Sequence, residues 1–235
     1  MDSLKKLANL TSKSGSKEEK KTRLVKLTFY ITYAFLVTTA TITFIEAIRT
    51  KDDKVRHILN LETCISVVAA YFYSMFMKKV DVDKIDYKDI TLNRYADWAI
   101  TTPIMLLVLM LALAYNNNES VYFKNFFMVL IFNYGMLLFG YLGESRMMEK
   151  VKADIIGFLC FAIMYYIIWN SHLNGKPNSD NTMLYLAFVI LWIGYGIGYY
   201  MKEKEKNVSY NVLDLLSKCF VGIFFWAYFT KVVEL

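Results

Sequence analysis

Residues 209–226 read Ser-Tyr-Asn-Val-Leu-Asp-Leu-Leu-Ser-Lys-Cys-Phe-Val-Gly-Ile-Phe-Phe-Trp. Lys218 lies in the middle of this apolar run, and Asp214 precedes it by four residues. On a helix, positions i and i+4 share a face, so the amine and the carboxylate point the same way. A charge at mid-bilayer is costly, and such residues line an interior and pair with one another. On this stretch alone two readings stand open: a structural ion pair, and a lysine kept for covalent chemistry such as a Schiff base with an aldehyde.

The rest of the chain fits a membrane setting. It has 235 residues, 56% of them hydrophobic and 17% aromatic, with a mean hydropathy of +0.32. That is too apolar for an ordinary soluble domain and suits a polytopic membrane protein in contact with a lipid bilayer. Cys64, Cys160 and Cys219 all fall in apolar segments, without metal-ligand spacing and without the pattern of a disulfide framework. His57 and His172 are isolated, so no metal site is expected. The net charge of +6 sits mostly in the tail and connections. It reads as membrane-flanking charge, not as a nucleic-acid surface.

Seven apolar segments follow a polar, lysine-rich tail at 1–25, at about 26–48, 57–77, 94–115, 121–142, 153–171, 183–201 and 209–230. Each is near the roughly 20 residues that cross a bilayer. The expected organisation is a tail (1–25) with a short helix over Ser3–Leu10, an all-α seven-helix bundle (26–230) and a short C-terminal tail (231–235). The first apolar run is too long and too far in for a cleavable signal. The longest connection, Lys78–Asn93, alternates charged and apolar residues and is expected to form a small hairpin. Gly194, Gly196 and Gly198 lie inside an apolar helix with no preceding strand, which excludes a nucleotide fingerprint and favours close helix packing. Charges within the segments are the informative exceptions: Arg94, Asp97, Asp214 and Lys218, then Glu46 and Glu62 nearer the ends, where an interfacial role competes with a functional one.

The third segment opens Arg94-Tyr95-Ala96-Asp97-Trp98-Ala99-Ile100-Thr101-Thr102-Pro103. This run resembles the third helix of microbial (type I) rhodopsins, and the Asp-x-x-x-Lys of the seventh segment resembles that family's retinal attachment pattern. Trp192, Tyr195 and Tyr199 are similar to the family's aromatic retinal cage, with Gly196 in place of the usual proline. Gly140-Tyr141-Leu142-Gly143-Glu144 resembles proteorhodopsin-like and xanthorhodopsin-like members. The likeness spans all seven segments and omits the tail.

The resemblance implies a seven-helix bundle enclosing all-trans retinal, bound as a protonated Schiff base at Lys218. Asp97 is then the primary counterion and proton acceptor, Asp214 the second counterion, and Arg94 the charge that leaves the cluster neutral, as a low-dielectric interior demands. Thr101 completes the third-helix pattern. Trp98, Thr102 and Met105 form a stripe along the polyene, with Trp192 and Tyr195 on its other face. Tyr73 and Tyr195 are expected to donate to Asp214. Asn133 and Met136, and Cys160 and Met164 at the ring end, complete the expected pocket. Met105 implies green absorption, and Ser217 beside the lysine shifts it toward blue.

Val108 stands where outward proton pumps of the family carry a reprotonating carboxylic acid. Glu62 should reach a similar depth from the antiparallel second helix, as a substitute proton donor or as a gate. The favoured reading is a light-gated cation channel, in the style of the viral rhodopsins. The alternatives are a slow outward proton pump, a photosensor, and a seven-helix protein with no chromophore. None is an enzyme. The resemblance further implies a multi-pass plasma-membrane protein, a homo-oligomer, and an N-terminus outside. The excess of basic residues on the side of the N-terminus argues the reverse.

Overall fold

The computed structural model describes residues 17–82 and 84–230. The short helix expected over Ser3–Leu10 and the C-terminal tail at 231–235 lie outside them. The described residues form an all-α bundle without strands. Its helices are α1 (Lys17–Arg49), α2 (Asp53–Val80), α3 (Tyr87–Asn116), α4 (Phe123–Glu144), α5 (Lys150–His172), α6 (Ser179–Tyr199) and α7 (Glu203–Thr230). All seven are long and apolar enough to cross a membrane, and Ile48, Ile155 and Ile190 point outward, more than half exposed. A ring of such side chains suits lipid and not water, and the protein is an integral multi-pass membrane protein. Short connections make neighbours antiparallel. The ring closes where α1 packs on both α2 and α7. α3 is the central helix: 61% of its most apolar window is buried, against 22% in α4 and in α6.

The helices begin earlier than the apolar segments suggest. α1 starts at Lys17 and not at 26, so part of the expected tail is helical; Lys21 pairs with Glu205 at 2.8 Å and Lys204 with Glu18 at 2.9 Å. The hairpin expected over Lys78–Asn93 does not form. Tyr87–Asn93 make the first turns of α3, capped by the Asp86 carboxylate, which accepts from Asp89 N. Polar first turns extend a helix past the stretch that hydropathy marks, because capping satisfies their free N–H groups. At the start of α2, Asp52 accepts from Val55 N and Lys54 N. The Val55 bond, ahead of Tyr115 and Lys54, holds the Asp52 carboxyl below its usual value. This cap is therefore in place above the ordinary aspartate range and is lost as pH falls through the lowered value.

Two local devices shape the interior. Pro103 cannot donate to Ala99 O, and the Tyr134 hydroxyl of α4 donates to that carbonyl instead, at 3.2 Å. In α7 the residues Leu215–Phe220 form a π-helical turn around Lys218, where a regular α-helix was expected. Such wide turns inside α-helices occur often at functional sites.

The close packing read from Gly194, Gly196 and Gly198 is present, since a Cβ at Gly196 would lie 2.4 Å from the Phe158 ring. Gly143 is tighter still: its Cβ would lie 1.9 Å from the Tyr199 hydroxyl and 2.8 Å from Ala153 Cβ. Tyr199 is buried and Ala153 has no free torsion to yield. Gly143→Ala is therefore expected to destabilise the bundle by about 1–3 kcal/mol, seen as a lower thermal midpoint in detergent.

Candidate functional site

α3 and α7 meet at four charges with no access to solvent. Lys218 Nζ donates to Asp97 Oδ2 at 2.7 Å and lies 3.4 Å from Asp214 Oδ1. The i, i+4 pair expected in α7 thus survives the π turn, but the shorter contact reaches across to α3. Asp214 is held by four groups: Tyr73 OH donates to Oδ2 at 2.7 Å, Tyr195 OH to Oδ1 at 2.8 Å, Arg94 Nη1 to Oδ2 at 3.2 Å, and Lys218 completes the set. Tyr195 OH is also 3.0 Å from Ser217 Oγ. Asp97 has fewer supports. Thr101 Oγ1 donates to its backbone carbonyl at 2.9 Å and lies 3.4 Å from Oδ1. Two cations and two carboxylates make the cluster neutral. Removing one partner of such a buried pair costs about 3–5 kcal/mol.

Arg94 is fixed on every side. Its guanidinium donates to Asn211 Oδ1, to Asn207 Oδ1 and to Tyr73 OH, and it lies over the Phe29 and Phe76 rings at 5.1 and 5.2 Å. From there hydrogen bonds run toward the end of the bundle that carries the α3 and α7 N-termini. Asn207 Nδ2 donates to Thr91 Oγ1 at 3.2 Å, and Thr91 donates to Glu203 Oε2 at 2.8 Å. Lys206 Nζ then bridges Glu203 at 3.2 Å and Glu144 at 2.7 Å. Lys206 is as buried as Lys218. Sequence reasoning missed this seam, although Asn207, Asn211, Asp214 and Lys218 recur at i, i+4, i+7 and i+11, one face of a helix. The charged stretch 202–206 before Asn207 resembles an ordinary interfacial turn.

On its other side, Lys218 reaches a cavity of about 120 Å³. Of the expected pocket residues, Trp98, Thr102, Met105, Met136, Trp192, Tyr195 and Tyr199 line it. Tyr95, Gly157, Phe158, Phe161 and Tyr210 line it as well and were not expected. Five expected residues stand off: Tyr73 and Ser217 sit at the charged cluster, beside Asp214 and Tyr195, and three others lie behind the wall or away from it. Asn133 is behind the wall, donating to Thr102 Oγ1 at 2.9 Å. Cys160 faces α4, where its Sγ would lie 3.1 Å from a Cβ at Gly135. Met164 is in the core beside Phe161 and Tyr165. Helical phase accounts for Cys160: Gly157, Phe158 and Phe161 are the α5 face that meets the cavity, and Cys160 is one step around from it, whereas Met164 shares that face and lies one turn further along.

The lining suits an elongated apolar aldehyde. Trp98, Met105, Met136, Phe158, Phe161 and Trp192 make most of that wall apolar. Lys218, the only lysine on the wall among the described residues, is flanked by two carboxylates that balance a positive charge on its nitrogen.

Glu62 lies on the far side of Lys218 and is almost fully buried. Its Oε2 would lie 3.0 Å from a Cβ at Gly222, one turn past Lys218. No ion pair holds it among the described residues. Val108 is buried in the core cluster with Ile58 and Ile65, which flank Glu62 on α2. No group of side chains able to hold a metal ion occurs among the described residues.

The family described as bacteriorhodopsin-like protein matches residues 23–232. The green-light absorbing proteorhodopsin of Gamma-proteobacterium EBAC31A08 is 29% identical over 217 residues, covering 85% of this chain and 84% of that protein. The crystal structure of viral rhodopsin OLPVRII is 54% identical with a TM-score of 0.86, covering 90% of this chain and all of that one. Xanthorhodopsin, a light-driven ion pump with dual chromophore, has the same fold at 17% identity and a TM-score of 0.73, covering 88% of this chain and 92% of that one. Rhodopsins of this kind bind retinal, and with a family match spanning nearly all the described helices, this chain belongs to the bacteriorhodopsin-like family of microbial rhodopsins.

Proposed function

We propose that the protein holds all-trans retinal at Lys218 and uses light to move protons across the membrane, with the light-gated cation channel as the second reading. When bound, retinal would supply a light-absorbing polyene that isomerises, and the Lys218 amine would hold it through its aldehyde carbon. Trp98, Met105 and Trp192 position it and exclude water. Asp97, with its oxygen 2.7 Å from the nitrogen, takes the proton held there. Asp214, fixed by Tyr73, Tyr195 and Arg94, stays anionic as the second counterion. Glu62 returns a proton to the same nitrogen from the other side. Met105 on the wall supports absorption in the green.

The observation that favours protons over metal cations is the sealed seam from Asp214 to Glu144. Two buried cations, Arg94 and Lys206, stand in series along it. A hydrated metal ion would meet like charge twice and would have to displace both, whereas protons pass by exchange along hydrogen bonds. Val108 supports the channel reading, because the position where outward pumps of the family carry a reprotonating acid has none here. Steady illumination of retinal-loaded vesicles should change the external pH, and a protonophore should abolish the change. A light response that instead follows an imposed sodium or potassium gradient would establish the channel. Glu62→Gln should slow proton return at least about tenfold, a barrier increase of about 1.4 kcal/mol, read by flash photolysis with a pH dye.

Direction follows orientation. With the N-terminus outside, the Asp97 side faces out and transport is outward, in the plasma membrane. Basic residues such as Lys78, Lys79, Arg146 and Lys204 crowd that same side, which argues for the inverted insertion. Terminal tags probed in intact cells distinguish the two.

A further inference from the structure

Threonines of α1 grip α7 on either side of Lys218. Thr32 Oγ1 donates to the Asn211 carbonyl at 3.1 Å, and Asn211 Nδ2 donates to Thr28 Oγ1 at 2.9 Å. Asn211 stands one turn before the π turn at Leu215–Phe220. Further along, the side chains of Thr39 and Cys219 are hydrogen-bonded, and Cys219 directly follows Lys218. The Thr39 methyl packs against bare backbone at Gly222, 2.8 Å from where a Cβ would stand. Thr32, Thr39, Asn211 and Cys219 are all buried.

The two helices space these anchors differently, by one residue. Seven successive antiparallel helices leave α1 and α7 parallel, and the two pack together along their length. Thr32 and Thr39 are seven residues apart, two turns of regular α-helix, and share a face. Their partners Asn211 and Cys219 are eight apart. The π turn takes up the extra residue, because its hydrogen bonds run from i to i+5. Relaxation to α-helix would turn Lys218 and Cys219 by about 100° relative to Asn211, the advance of one residue. Such turns are rare, and the anchors on α1 constrain this one from outside its own helix. We propose that Thr32 and Thr39 are positioning residues that hold the π turn and so keep the Lys218 nitrogen 2.7 Å from Asp97. The inference rests on retinal attachment at Lys218, where the placement of the nitrogen sets its affinity for a proton. The groups around it are Asp97 and Arg94 on α3, Asp214 on α7, Tyr73 and Glu62 on α2, and Tyr195 on α6. Asp97 makes the shortest contact and favours the charged nitrogen, so a nitrogen turned away from it gives up its proton more easily.

The test titrates the visible band of the full, retinal-loaded chain with alkali, in the dark. Thr32→Val and Thr39→Val keep the shape of threonine and remove the hydroxyl; alanine replaces valine wherever valine gives no band. Each should lose the visible band at a pH at least about one unit lower than the wild type, a tenfold change in proton affinity. Before that point its maximum should lie at longer wavelength, as the nitrogen draws away from Asp97. Thr32→Ser and Thr39→Ser, which keep the hydroxyl, should restore both readings. Thr38→Val and Thr41→Val remove hydroxyls that donate only within α1, on its exposed face, and should titrate as the wild type does. A wild-type midpoint and maximum in both anchor variants, even with a lower thermal midpoint, would reduce Thr32 and Thr39 to packing and overturn the inference. A wild-type chain that forms no visible band removes retinal attachment, and the positioning role with it.

Discussion

Lys218→Ala protein is expected to give no visible band when all-trans retinal is added, where the wild-type chain gives one. Among the described residues Lys218 is the only lysine on the cavity wall, so none of them offers a second amine to replace it. The substitution leaves Asp97 and Asp214 facing Arg94 alone. A buried, unbalanced charge of this kind costs about 3–5 kcal/mol, and uptake of one proton relieves it, so the variant should still insert and fold. Helical circular dichroism separates a folded, colourless protein from one that fails to fold. Ser217→Ala, which removes only a hydroxyl bonded to Tyr195, should keep its colour with a shifted maximum. A normal band in Lys218→Ala would remove retinal attachment from the account and revive a seven-helix protein in which Lys218 is a structural partner.

Asp97→Asn should nearly abolish light-driven proton transfer, a loss of at least about a hundredfold. An amide cannot accept the proton that now faces Asp97 Oδ2 at 2.7 Å. Asp214 does not substitute, because Tyr73, Tyr195 and Arg94 already occupy its oxygens and stabilise it as an anion. The same change should move the absorption maximum to longer wavelength. The carboxylate stabilises positive charge localised on the nitrogen in the ground state, and losing it narrows the gap to the delocalised excited state. Asp97→Glu, which keeps the charge, should recover much of the wild-type colour. Full proton transfer in Asp97→Asn would show that Asp214 or an internal water is the acceptor.

The charged cluster was legible in the sequence because charge inside an apolar segment has few explanations. Asp97, Asp214, Lys218 and Arg94 stand out against their surroundings, and the tyrosines Tyr73 and Tyr195 reach Asp214 as their positions suggest. The cavity wall was less legible. It depends on helical phase and on depth along the helix, and apolar segments such as α5 give no contrast in either: Cys160, one step around, and Met164, one turn further along, look as suitable as Phe158 and Phe161. The π turn around Lys218 leaves no local signature, since neither glycine nor proline occurs in Leu215–Phe220. Lys206 and Glu144 were hidden for the opposite reason. Charges near helix ends are common, and only packing shows that these two are buried. The helix starts were missed wherever polar first turns precede the hydrophobic stretch, as at Lys17 and Tyr87.

The voltage dependence of the photocurrent tests the central claim most directly. In a cell expressing the retinal-loaded protein, with identical solutions on both sides, light should drive a current of one sign at zero voltage. That current should keep its sign across the accessible voltage range and persist when sodium and potassium are replaced by a large organic cation. A current that vanishes at zero gradient, and reverses at the equilibrium potential of a metal cation, would contradict proton translocation and establish an opened cation path past Arg94 and Lys206.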